Sequence, residues 1–75
     1  MDDKIVTLAA QVLKLSEDET KKNSKTIPEI RGYYFWNPLR GGGAVIIDEN
    51  GEKLAAGSAV NYSALLQAFL DGKRN

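Results

Sequence analysis

The chain contains no cysteine and no histidine among its 75 residues. The first absence excludes a disulfide framework. Together they exclude the sulfur and imidazole ligands of an ordinary structural zinc site. They also remove the base and the thiol on which most nucleophilic catalysis depends, so Ser58 and Ser63 have no histidine partner. Net charge is missing as well, because ten Lys and Arg balance ten Asp and Glu. A dedicated nucleic-acid binder is usually strongly basic on one face. The apolar stretch near the N-terminus is broken by Gln11 and Lys14 and follows Asp2 and Asp3. It is too short and too polar to span a membrane or to resemble a secretion signal, and cytoplasmic placement is expected. No catalytic residue, metal ligand or cofactor site is expected, and the chain reads as a non-enzyme.

A chain this short buries only about 60% of the surface its unfolded form exposes. With disulfide and zinc excluded, stability must come from good packing or from association with another chain. The sequence reads as one domain over residues 1–75.

What is present is strongly patterned. Over residues 3–15, Ile5, Leu8, Ala9, Val12, Leu13 and Leu15 form an apolar stripe, with Lys4, Thr7, Gln11 and Lys14 opposite. This predicts an amphipathic helix capped by Asp2 or Asp3. Residues 16–26 are polar throughout, which predicts a polar linker over about 16–29. Glu17 with Lys21 and Asp18 with Lys22 have helical spacing, and Ser16 with Glu19 fits a capping box. An aromatic strand follows over 30–36, stopped by Asn37-Pro38. Ala44 to Asp48 reads as a second strand, and the third ends at Gly57.

Asn50-Gly51 between two strand-like runs predicts a two-residue type I′ turn. That turn would pair Asp48 with Lys53, Ile47 with Leu54 and Val45 with Ala56, placing Val45, Ile47, Leu54 and Ala56 on one face. A last helix is expected over 62–71, capped by Asn61 or Ser63 and closed by Gly72. The expected fold is α+β in the order α-β-β-β-α, with a three-stranded antiparallel meander in the sheet region 30–57. Both helices are expected on one face of it, making two layers.

The carboxylates Asp48, Glu49 and Glu52 read as a solvated hairpin tip, since the spacing of a calcium loop is missing. Tyr33, Tyr34, Phe35 and Trp36 are contiguous, and on a strand they alternate in direction. If both helices cover a single face, two of these rings face outward, unless loops or the N-terminal helix wrap over them and make them core. Arg40, Gly41, Gly42 and Gly43 form a flexible connection whose amides could converge on an anion. The expected binding residues are therefore Arg31, Tyr34, Trp36, Arg40, Gly41, Gly42 and Gly43. A protein partner or a second copy of the chain, as a homodimer, is the first expectation, because Trp, Tyr and Arg dominate protein interfaces. The alternative is an anion or single-stranded nucleic-acid binder that uses Arg31, Trp36, Arg40 and the glycines.

Overall fold

The computed structural model describes residues 2–39 and 42–75. Its elements are α1 (Asp3–Leu13), α2 (Glu17–Lys22), β1 (Ser24–Ile27), a 3-10 turn (Pro28–Ile30), β2 (Gly32–Trp36), β3 (Ala44–Ile47), β4 (Lys53–Ala56) and α3 (Tyr62–Leu70). The strands form one antiparallel meander in the order β1-β2-β3-β4. The α+β class is as expected, with four strands in place of three.

The local signals at the helix ends hold. Asp2 caps α1 by accepting from the Lys4 amide at 2.8 Å. The helix stops earlier than expected, because Lys14 turns left-handed (φ 57°). Asn61 caps α3 through the Ala64 amide at 2.8 Å, and Gly72 beyond it has positive φ.

The expected polar linker over 16–29 is instead a short helix and an edge strand. Side chains close the helix where no apolar stripe exists to stabilise it. Ser16 Oγ accepts from the Glu19 amide at 3.1 Å, which is the capping-box contact. The Thr20 hydroxyl donates to Ser16 O at 2.8 Å, and Thr20 is fully buried. Asn23 Nδ2 and Ser24 Oγ donate to the carbonyls of Glu19 and Lys21 at the other end. Ile27 then anchors β1 in the core at 1% exposure. The Glu17–Lys21 and Asp18–Lys22 ion pairs are not formed. Among the described residues the one ion pair is Arg31 with Glu49, at 3.9 Å.

The expected two-layer arrangement is also corrected. Ile5, Ala9 and Leu13 of α1 pack on Phe35, Val45 and Ile47. Leu65 and Phe69 of α3 pack on Ile27, Ala44, Ile46 and Leu54, which point the other way. The sheet therefore lies between α1 and α3, in three layers. The reason is in β3, where Ala44, Val45, Ile46 and Ile47 are all buried. A strand apolar on both sides needs cover on both sides.

The β3–β4 register differs from the expected one by a residue: Ile47 pairs with Lys53, Ile46 with Leu54 and Val45 with Ala55. Leu54 thus joins Ile46 on the α3 side. The loop is longer than a type I′ turn permits. The Gly51 amide donates to Asp48 O at 3.0 Å, and the Asp48 amide donates to Glu52 O at 3.0 Å. Asp48 Oδ1 accepts from the amides of Asn50 and Glu52 at 2.9 and 3.0 Å. This side-chain-closed turn needs positive φ only at Gly51, where φ is 83°, and Asn50 is not among the residues with positive φ.

Two substitutions test this turn. A Cβ at Gly51 would meet nothing within 4 Å, so Gly51→Val should destabilise through backbone strain alone, by about 1–2 kcal/mol. Asn50→Ala should stay within about 0.5 kcal/mol of the parent. Urea unfolding of the two variants measures both, and a large loss at Asn50 would restore the type I′ turn.

Candidate functional site

α3 lies mainly over β3 and β4. Toward β1 and β2 that sheet face carries the buried Ile27, with Lys25 beside it on β1 and Tyr34 and Trp36 on β2, whose alternation sends them to the α3 side. Tyr33 and Phe35 point the opposite way into the α1 core, with ring centroids 6.0 Å apart. The aromatic strand is therefore divided, with Phe35 fully buried and Tyr34 and Trp36 half-buried.

The half-buried rings form an ordered shelf. Tyr34 and Trp36 stack with centroids 5.5 Å apart and planes 27° apart. Tyr62, the first residue of α3, meets Tyr34 edge-on at 4.8 Å. Lys25 Nζ sits 3.9 Å from the centre of the Tyr62 ring, a cation–π contact that closes the row. Burial raises the Tyr34 phenol above its usual pKa, and the neighbouring Tyr62 adds to the shift.

A groove of about 340 Å³ opens at the Trp36 end, lined by Trp36, Leu39, Gly42, Gly57 and Val60. Leu39 is 68% exposed and Val60 38%, so apolar side chains stand open at its rim, beside the polar Asn37 and Ser58. Leu39 also borders a second groove of about 600 Å³ on the α1 side, with Val12, Lys14 and Ala55. Asn37 holds this end of the sheet together. Its Nδ2 donates to Leu13 O at 3.0 Å, and its Oδ1 accepts from the Leu39 amide at 2.9 Å.

Of the expected binding residues, Tyr34, Trp36, Gly42 and Gly43 converge here. Arg31 does not. It lies at the opposite end of β2, roughly 17 Å of strand from Trp36, with its side chain 80% exposed and directed at Glu49. Arg40 and Gly41 lie outside the described residues. The two described glycines of the stretch are required by close packing. A Cβ on Gly42 would come within 2.6 Å of Asn37 Cβ, and one on Gly43 would collide with the Ala56 carbonyl oxygen.

Leu39, Val60, Tyr62 and Lys25 were not singled out from the sequence as site residues. Leu39 carried the one available signal, an apolar side chain between Pro38 and a glycine run where polar residues are usual. Among the described residues, no helix is long and apolar enough to cross a membrane. Comparison with protein-family models, curated proteins and solved structures finds no match to this chain.

The raised Tyr34 pKa sets an alkaline expectation. Below about pH 9 the phenol is protonated in the folded and unfolded chain alike. As pH rises beyond that value the unfolded chain ionises first, so folded stability falls until the folded pKa is passed. Tyr34→Phe should flatten this loss in unfolding measurements between pH 9 and 11. An unchanged slope would show that the Tyr34 phenol titrates as it does in water.

Proposed function

We propose that this chain is a non-enzymatic protein-interaction module whose contact surface is the Tyr34–Trp36–Tyr62 shelf with the groove beside it. One observation carries the reading. α3 leaves Tyr34 and Trp36 on its sheet face only half-buried, and beside Trp36 lies a groove bordered by the exposed Leu39 and Val60. Aromatic rings held in place by their neighbours lose little conformational freedom on binding, which is why such residues anchor interfaces. Exposed apolar side chains grouped around a groove mark contact surfaces more reliably than the same residues scattered singly. Arg31 is not part of the shelf and faces Glu49 at 3.9 Å, so the shelf holds Lys25 as its one described cation, which favours a protein partner over a nucleic-acid strand.

Leu39→Asp is the most direct test, because Leu39 is largely exposed and its replacement should leave the fold intact. Immobilised parent chain should retain a defined protein partner from native extract after nuclease treatment and at raised salt. Leu39→Asp should lose it, by about tenfold or more in affinity, with an unchanged circular dichroism spectrum. Retention by both chains would overturn the proposed surface. Capture abolished by nuclease or by modest salt would point to nucleic acid instead.

A further inference from the structure

The two edges of the sheet are finished differently. Along β4, the outward backbone groups are those of Lys53 and Ala55, because the Asp48–Glu52 bond fixes the alternation. Asn75 covers them. Its amide N–H donates to Lys53 O at 3.0 Å, its Oδ1 accepts from the Ala55 amide at 2.8 Å, and its Nδ2 donates to Ala55 O at 2.9 Å. A single asparagine thus stands in for a further strand. Arg74 holds this segment to α3 by donating to Phe69 O at 2.7 Å and lying over the Phe69 ring.

Along β1, the Trp36 amide donates to Asn23 O, so Lys25 and Ile27 bond inward to β2 while Ser24 and Thr26 direct their N–H and C=O groups outward. Among the described residues nothing meets those outward groups. Lys25 and Thr26 are exposed there. Lys25 is fixed above Tyr62, and neither it nor Lys21 or Lys22 has a carboxylate partner among the described residues.

We propose that the outer edge of β1 is a strand-addition site for an extended segment of a partner protein that carries an acidic side chain opposite Lys25. Backbone pairing supplies the attraction, and the side chain facing Lys25 supplies the selection. The same geometry disfavours a second copy of this chain. The antiparallel register that uses all the outward groups of Ser24 and Thr26 sets Lys25 against its own copy, and like charges directly opposite destabilise a pair. Shifting that register one way sets Pro28, which has no N–H, against Ser24. Shifting it the other way brings Lys22 of α2 against Thr26.

The test uses a capped Thr-Val-Glu-Val-Thr peptide and its central-lysine analogue, titrated into the labelled full chain and followed by amide resonances. The glutamate peptide should shift the Ser24 and Thr26 amides saturably and bind about threefold tighter than the lysine peptide, or more. Lys25→Glu should reverse that preference. Thr26→Pro removes one outward N–H at an edge position that tolerates proline, and it should abolish binding. Leu39→Asp should leave the titration unchanged, so failure at this edge is separable from failure of the groove. Absence of saturable shifts at Ser24 and Thr26, or equal affinity for the two peptides, would overturn the proposal. Protection of those amides without peptide, with concentration-dependent dimerisation, would overturn it in favour of a second copy. If Thr26→Pro does not fold, the charge reversal at Lys25 alone decides.

Discussion

The structure depends on the burial of β3 from both sides. Val45, Ile46 and Ile47 are fully buried, and each contributes about 1.5–3 kcal/mol relative to an exposed side chain. Neither helix alone could supply that burial. Val45 and Ile47 need α1, and Ile46 needs α3. Net stabilities of small domains are only about 5–15 kcal/mol, so loss of either layer would remove a large part of the total. Sheet, helices and the division of the aromatic strand all follow from this strand. β2 lies beside β3, so its alternate residues are distributed between the same two layers.

The features legible in the sequence were those written in apolar periodicity or in a single local contact. The stripe from Ile5 to Leu13 defined α1, and the Asn61 and Gly72 signals bounded α3. The unread features were held by polar side chains that replace backbone partners. The Ser16–Glu19 capping box was legible, but the buried Thr20 hydroxyl that helps hold α2 without an apolar face was not. Asp48 closes its turn by accepting two amides, which moved the register by one residue and carried Leu54 to the α3 side. Composition describes such residues only as polar, so the segment from Ser16 to Thr26 looked like a tether. The two layers were missed for a related reason. The alternation of the predicted hairpin hid the fact that β3 is apolar in both directions.

The candidate site shows the same division. Tyr34 and Trp36 were visible as rings on an aromatic strand, and the structure brings them beside Gly42 and Gly43. Arg31 was grouped with them through proximity in sequence, but a strand separates its ends by its own length. Leu39, Val60 and Tyr62 come from three different connections or elements, and only the tertiary fold brings Leu39 and Val60 to one groove and Tyr62 against Tyr34. The shelf exists because α3 is placed toward β4, where Leu54 and Phe69 draw it. An α3 centred over β2 would have buried Trp36 and left no groove.

The sequential strand order also governs how the chain reaches this fold. Each strand pairs only with its neighbour in sequence, so the sheet forms through short loop closures with small entropic cost. α1 is the exception. It leads the chain yet packs on Val45 and Ile47 across everything between them. The meander and α3 are therefore expected to assemble first, with α1 as the last layer to dock and the first to detach. Amide exchange would register this as a lower opening free energy at Ala9 than at Ile46. Equal values would mean that the three layers open together. Detachment of α1 would uncover Phe35, Val45 and Ile47 at once, a continuous apolar surface. The exposure of this protein to aggregation is then governed by how firmly its first helix is docked.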